Sequence, residues 1–311
     1  MHDLIIIGGG AAGLSAALYA LGKGLDAVTI YEDVGGKAGT QQQLAGQSSE
    51  EYLAGAEAVQ LFERRVTSHA GAVLRDRVIE LRKHKAVFQI ETQHHGVLEA
   101  RAALIATGAT PIKLDVPGAK ALLDHGIGYS ITTHSQLLAG KRVAVVGTTM
   151  RALRGVVELA RVAEQVYLIA SDATGMSNPL ARSLRRFENV SVLAGYRVVE
   201  IVGALGVEQV VVEHDGERSW LQVDAAFADL GLLPNSSIVR QLARVNIDGF
   251  IMVDDRNATT QTGMFAAGDV TTAFAEQVLI AIGDGARAAA SAYDYILSYV
   301  APLGAEAEGA D

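Results

Sequence analysis

The sequence predicts an α/β fold with two related nucleotide-type domains. Two observations carry that expectation. An apolar strand, a glycine-rich turn, an apolar helix and a second strand open the chain, and a similar strand–loop–helix–strand unit recurs about 140 residues later.

The opening stretch runs from Asp3 to Glu32. Leu4 to Ile7 is a short apolar run, as expected of a buried parallel strand. Gly8, Gly10 and Gly13 then give G-x-G-x-x-G, with Ala11 and Ala12 between the last two. The first glycine makes the tight turn, the second lets the backbone approach a pyrophosphate, and the third lets helix and strand pack closely. Leu14 to Leu21 reads as a helix and Ala27 to Tyr31 as the next strand. Glu32 follows Gly8 by 24 residues, where a carboxylate accepts hydrogen bonds from an adenosine ribose. The expected function of this stretch is dinucleotide binding; the bland alternative is a turn that only connects strand and helix.

Composition narrows the possibilities. The chain has 311 residues, 50% of them hydrophobic, enough for a large core and two domains. A formal net charge of −9 argues against nucleic acid or an anionic membrane as partner. The chain contains no cysteine, so a disulfide, a thiolate nucleophile and a cysteine-ligated metal or cluster are all excluded. MHDLIII lacks a leader pattern, and no run reaches about 18 uninterrupted apolar residues. The expectation is a cytoplasmic protein with no membrane span and no metal site.

Val34 to Ser49 is glycine-rich and polar, a loop beside the nucleotide site that includes Gly39. Ser49 to Arg65 predicts a helix. Ala72 to Leu81, Lys85 to Thr92 and Val97 to Ala102 predict three strands, the first two joined by a turn at Arg82 to His84. Ala103 to Pro111 predicts a buried strand entering a tight turn at Thr107 and Gly108, which returns the chain across the first site. Pro111 to Gly118 is a good domain crossover.

Arg142 to Val146, Ala152 to Arg161 and Val166 to Ala170 repeat the strand–helix–strand pattern. Here the fingerprint positions hold Gly147, Thr149 and Ala152. A β-branched threonine occupies space where the backbone approaches phosphate. Ser171 and Asp172 offer no counter-charge to a 2′-phosphate, although Asp172 suits a free ribose diol. NAD(P)H binding at this loop is therefore open, between an NAD site and a scaffold with no ligand. Gly175 to Arg186 mixes a turn with a basic helix, either solvated or anion-binding. Short strands follow to Leu230, then a polar segment with a short helix between Pro234 and Asn246, and a strand at Phe250 to Val253.

Met264 to Ala267 predicts a strand, Gly268 a turn, and Asp269 a carboxylate able to bond a flexible polyol such as ribityl. Glu276 to Ser298 predicts a long helix, with Ala281, Gly285, Ala288, Ala289 and Ala292 allowing close packing. Its first N–H groups, near Glu276, Gln277 and Val278, are placed to face a flavin carbonyl. Ala301 to Asp311 reads as an acidic tail.

GGGAAGLSAA with Glu32, the ATGATP segment, the central KRVAVVG unit and FAAGDV followed by a helix resemble the low-molecular-weight thioredoxin reductase family. Related ferredoxin- and flavodoxin-linked NADP reductases share the pattern. The resemblance covers almost the whole chain. It implies Rossmann-like, three-layer ββα domains, the second inserted into the first. It implies FAD in a split domain of roughly residues 1–114 plus 241–311, an NADPH-type domain of roughly 115–240, and a homodimer. The family's disulfide motif corresponds here to YSITTH, with Ser130 and Thr133 at the cysteine positions and His134 at the aspartate position. A hydroxyl forms no disulfide, so dithiol exchange by the family's route is excluded.

Three functions follow. The first is a flavoprotein oxidoreductase without a protein disulfide, exchanging electrons between a donor such as reduced ferredoxin, free flavin or NADH and another small partner. His134 would be its proton donor or a hydrogen-bonding group near the flavin, unless it is only a residue of a surface turn. The second is an FAD-binding structural or regulatory homologue. The third is a flavoprotein with a second flavin or aromatic ligand near Tyr129 and His134.

Overall fold

The computed structural model describes residues 1–39, 55–129, 131, 135–172, 174–272 and 276–300. These form two compact units, one from residues 1–110 with 233–300 and the other from 111–232.

The first unit opens with β1 (His2–Ile7), α1 (Ala11–Gly22) and β2 (Ala27–Tyr31). A short α2 (Gly36–Gly39) follows, then α3 (Gly55–Thr67). Next come β3 (Val73–Arg75), β4 (Val78–His84), β5 (Val87–Thr92), β6 (Gly96–Ile105) and β7 (Ala109–Pro111). The sequence predicts a loop from Val34 and a helix from Ser49. Instead α2 forms early, and residues 40–54 lie outside the described residues.

Two sequence expectations about strands are corrected. Ala72 to Leu81 is not one strand: Val73–Arg75 pairs in parallel with β2, while β4 turns into an antiparallel hairpin with β5. The hairpin turn sits at Lys85, which takes a φ of 54°, rather than at Arg82 to His84. Conversely, Val97–Ala102 and Ala103 onward belong to one strand. The first half of β6 pairs with β5, and its second half with β1 in parallel. A ten-residue strand bends from one layer into the next, and period-2 alternation cannot register such a change of partner.

Two apolar layers result. Leu4, Ile6 and Leu104 face α1, α3 and the last helix, with Val59, Val66, Ala288 and Ala292 among the buried partners. Ile5, Ile7, Val28, Ile30 and Ile105 face the other way, against Leu81, Phe88 and Ile90 of the hairpin. Strands buried on both faces explain the uninterrupted apolar run Leu4–Ile7.

Asp76, between β3 and β4, fastens the hairpin. Its buried carboxylate accepts from His94 Nδ1 (2.9 Å), His95 Nδ1 (2.7 Å) and the backbone N–H groups of Arg77, His94 and His95. Burial pushes its carboxyl up, but the hydrogen bonds outweigh this and hold it well below the usual carboxylate range. A depressed carboxyl contributes stability above the unfolded value of about 4, and loses it as pH falls towards the folded value. Asp76→Asn is therefore expected to flatten the loss of stability below about pH 5, measured as urea midpoints across a pH series. An unchanged slope would contradict this role.

The second unit holds β8 (Ile127–Gly128), β9 (Arg142–Val146), α4 (Met150–Leu159), β10 (Gln165–Ala170) and α5 (Pro179–Ser183). It continues with β11 (Val190–Ala194), β12 (Arg197–Val202), β13 (Gln209–His214), β14 (Glu217–Gln222) and β15 (Ala225–Ala228). Its parallel sheet runs β11-β10-β9-β15-β8. One face packs Val143, Val145, Leu168 and Phe227 against α4 and α5. The other packs Ala144, Val146 and Ile169 against Val198, Ile201, Val210 and Val212 of the sheet β12-β13-β14. Helix, parallel sheet and antiparallel sheet make three layers, the ββα arrangement expected.

The chain then runs through β16 (Leu232–Pro234) and β17 (Met264–Ala266) to α6 (Val278–Val300). β17 pairs in parallel with β6. Phe250 to Val253, predicted as a strand, makes only isolated bridges of Ile251 with Val245 and Thr271. Helix α6 starts two residues later than predicted. Residues 301–311, the predicted tail, lie outside the described residues.

Candidate functional site: an open and a closed nucleotide loop

The glycine fingerprint is fixed by backbone contact. A Cβ on Gly8 would lie 2.2 Å from the Ala106 carbonyl oxygen, and Gly8 takes a φ of +124°. A Cβ on Gly13 would lie 1.9 Å from the Gly8 oxygen. Gly10 differs: a Cβ there would meet no described atom within 4 Å beyond its chain neighbours. Gly10 is also the N-cap of α1, and among the described residues no side chain caps that helix. The first N–H groups, from Ala11, Ala12 and Gly13, are left facing the open side of Gly10 at the positive end of the helix dipole. This is the geometry of a phosphate cradle.

Further residues close around it. Gly268 has a φ of +71°, and a Cβ on it would come within 2.9 Å of Ala12 Cβ. On Gly285 a Cβ would meet the Ala12 oxygen at 2.1 Å, and Ser15 Oγ donates to the Ile282 oxygen at 2.8 Å. The last helix is thus pressed onto α1, as its small residues suggest. Asp269 follows β17 in a 3-10 turn, while Glu276 and Gln277 precede α6, whose first residue is Val278. Lys37 Nζ lies 2.7 Å from Asp269 Oδ2 and 3.6 Å from Glu276 Oε2. Gly39 ends α2.

Glu32 follows β2 half-exposed, and its Oε2 accepts from Arg77 Nε at 2.8 Å. Thr107 and Gly108 lie between β6 and β7. Asn235 fastens this turn: its Nδ2 donates to the Thr107 oxygen at 2.9 Å and its N–H to the Gly108 oxygen at 3.0 Å. The Thr107 hydroxyl donates to the Asn235 oxygen at 2.7 Å. Sequence reasoning missed Asn235 and Lys37. Pro234-Asn235 after an apolar strand was the available signal for the first. His134, with Ser130 and Thr133, lies outside the described residues. Tyr129 is half-buried, and burial pushes its phenol up.

The second loop has the same backbone plan and the opposite outcome. A Cβ on Gly147 would lie 2.1 Å from the Asp229 oxygen, repeating the tight turn. Thr149, however, is the N-cap of α4, and its hydroxyl accepts from the Ala152 N–H at 3.0 Å. The same hydroxyl donates to Asp229 Oδ1 at 2.9 Å. Asp229, with its side chain 1% exposed, also receives Arg151 Nε at 2.6 Å and Nη2 at 2.7 Å. The cap starts the helix at Met150, two residues before the predicted Ala152.

A third contact covers the loop. A Cβ on Gly175 would lie 2.0 Å from Thr148 Oγ1, and Asn178 Nδ2 reaches Met150 sulfur at 3.1 Å. The turn after β10 thus folds onto the residues that would face a pyrophosphate. Thr149 does more than take up space: it satisfies the helix end itself.

Comparison with known proteins assigns the chain. The pyridine nucleotide-disulphide oxidoreductase family matches residues 2–288. The chain belongs to that family. Among curated relatives, the F component of alkyl hydroperoxide reductase from Staphylococcus aureus (strain MRSA252) is 31% identical over 305 residues. The match takes in 95% of this chain and 59% of that protein, so the chain spans about three fifths of the relative's length. Among solved structures, thioredoxin reductase from Streptococcus pyogenes MGAS5005 aligns with a TM-score of 0.83 at 25% identity, over 96% of this chain and 99% of that one. Thioredoxin reductase from T. acidophilum aligns at 0.64 and 28%, over 96% and 99%. This chain has a thioredoxin reductase-like fold. It has no cysteine in its 311 residues. Among the described residues no helix is long and apolar enough to cross a membrane, and no group of three or more potential metal ligands occurs.

Proposed function

We propose that the chain is an FAD-dependent oxidoreductase that works without a protein dithiol and does not take its electrons from NADPH docked in the second unit. One observation carries this reading: among the described residues no side chain caps or covers the N-terminus of α1, whereas that of α4 is capped by Thr149 and overlain by residues 175–178.

The residues of the first unit suit FAD. Gly10 and the N–H groups of Ala11 to Gly13 would hold the pyrophosphate. Glu32 receives the adenosine ribose hydroxyls, with Arg77 orienting its carboxylate. The Thr107–Gly108 turn, stapled by Asn235, supports the same end through its contact with Gly8. Asp269 would accept from the ribityl chain, and the N–H groups opening α6 would serve the ring. When bound, flavin supplies the electron transfer, which needs from the protein only orientation and tuning.

In the second unit, a dinucleotide would have to displace the Thr149 hydroxyl from the Ala152 N–H and bring phosphate charge towards Asp229. The donor is therefore a redox partner that does not use this loop: reduced ferredoxin, free reduced flavin, or NADH reaching the flavin by another route. Anaerobic reduction of the FAD-loaded protein, followed by its absorbance, tests this with each donor separately. NADPH is expected to give slow reduction with no saturation, and another donor rapid reduction. Rapid, saturable reduction by NADPH would overturn the reading. Reduction by none of them would favour the FAD-binding regulatory protein.

A further inference from the structure

The turn after β17 gathers three carboxyl groups. Lys37 stands within ion-pair distance of Asp269 and Glu276, and Asp284 of α6, 9% exposed, feels the charge of Asp269. Asp284 accepts a hydrogen bond from the Gly268 N–H. Burial pushes its carboxyl up, Arg287 opposes this, and the charge of Asp269 adds to it. Arg287 Nη1 stands 3.9 Å from Asp284 Oδ1. Lys37 reaches the acids from a different element, α2, and its side chain is only 32% exposed. A flexible, strongly hydrated ammonium thus joins two carboxylates from the turn after β17 and the start of α6.

We propose that Lys37 is a positioning residue of the flavin site, holding the Gly268–Asp269 turn against the start of α6 and setting the charge that the flavin ring experiences. The inference rests on the FAD reading above. Without the ammonium, Asp269 and Glu276 lose the cation that joins them, and Asp269 loses its counter-charge beside buried Asp284, so the turn is held less firmly to the start of α6. That loosening disturbs the carboxylate and the N–H groups offered to the ligand. Lys37 also sets a redox bias. A flavin that has gained two electrons and one proton carries one more negative charge than its oxidised form. A cation over the acid pair therefore favours the reduced form.

The test uses purified full-length protein, stripped and reloaded with FAD. Lys37→Met is compared with Lys37→Arg, which keeps the charge, and with Lys37→Gln, a second neutral variant should the first fail to fold. FAD dissociation constants come from fluorescence titration, and midpoint potentials from equilibration with reference dyes. The neutral variants are expected to bind oxidised FAD several-fold more weakly. Their preference for reduced over oxidised flavin should fall about tenfold, a drop of ~30 mV for a two-electron couple. Lys37→Arg should restore both values. Neutral variants with wild-type affinity and potential would overturn the inference while leaving the FAD reading intact, as would an arginine variant that behaves like methionine. A wild-type protein that takes up no FAD would overturn the FAD reading itself, and the inference with it.

Discussion

Gly8→Ala is expected to destabilise the chain by about 2–6 kcal/mol, the sum of backbone strain and overpacking, whereas Gly10→Ala should leave it folded and unable to hold FAD. The two glycines stand two residues apart in one loop and answer to different physical demands. At Gly8 a methyl group would meet the Ala106 carbonyl oxygen at 2.2 Å, and a φ of +124° is strained for any residue with a Cβ. The obstructing atom is backbone of a strand end held by hydrogen bonds, with the Ala106 N–H donating to the Ile7 oxygen at 2.8 Å, so it cannot swing aside. Gly10 has a φ of −84°, which any residue adopts, and open space where its Cβ would be. Alanine there costs less than about 1 kcal/mol as a poorer N-cap, but its methyl group enters the phosphate cradle. Urea unfolding of the apo proteins, with FAD content after reloading, separates the two. A Gly10→Ala protein that binds FAD normally would move the cradle elsewhere.

That contrast explains which parts of the site the sequence made legible. Gly8 and Gly13 are demanded by backbone approaching backbone, which no other residue permits, so their spacing survives as a readable pattern. The apolar runs of β1, β9 and β10 were legible for a similar reason, since both faces of each parallel sheet are buried. Asn235 and Lys37 were not. Each acts through a single polar side chain on a partner distant in sequence, which leaves no periodicity. The limits of β6 were missed because its two halves serve different neighbours. Thr149 was noticed as an obstacle, but its capping role depends on Asp229, some 80 residues away. A clue was present: Asp229 is the one charged residue in the apolar run AAFADLGLL, and a buried acid needs a partner. Nothing in the sequence indicated that the partner would be Arg151.

Asp229→Ala should therefore destabilise the second unit by about 3 kcal/mol, the lower end of the range for breaking a buried ion pair, because Arg151 remains one-fifth exposed and regains some water. The carboxylate receives two guanidinium bonds and the Thr149 hydroxyl, so its loss removes three hydrogen bonds to a buried charge at once. Thr149 keeps its own cap on the Ala152 N–H, so α4 should still form. The double variant Asp229→Leu with Arg151→Leu removes both charges and should recover part of the loss. A thermodynamic cycle built with the single leucine variants then reports the coupling directly. Added salt should change that coupling little, because water and ions barely reach Asp229. The same cycle bears on function. A dinucleotide that used this loop would bind the folded unit and raise its unfolding temperature with concentration. If Thr149, Arg151 and Asp229 have closed the loop, wild-type protein should unfold at the same temperature with and without NADPH, while FAD raises it. Stabilisation by NADPH that disappears in the Asp229→Ala protein would instead make the pair part of a working nucleotide site.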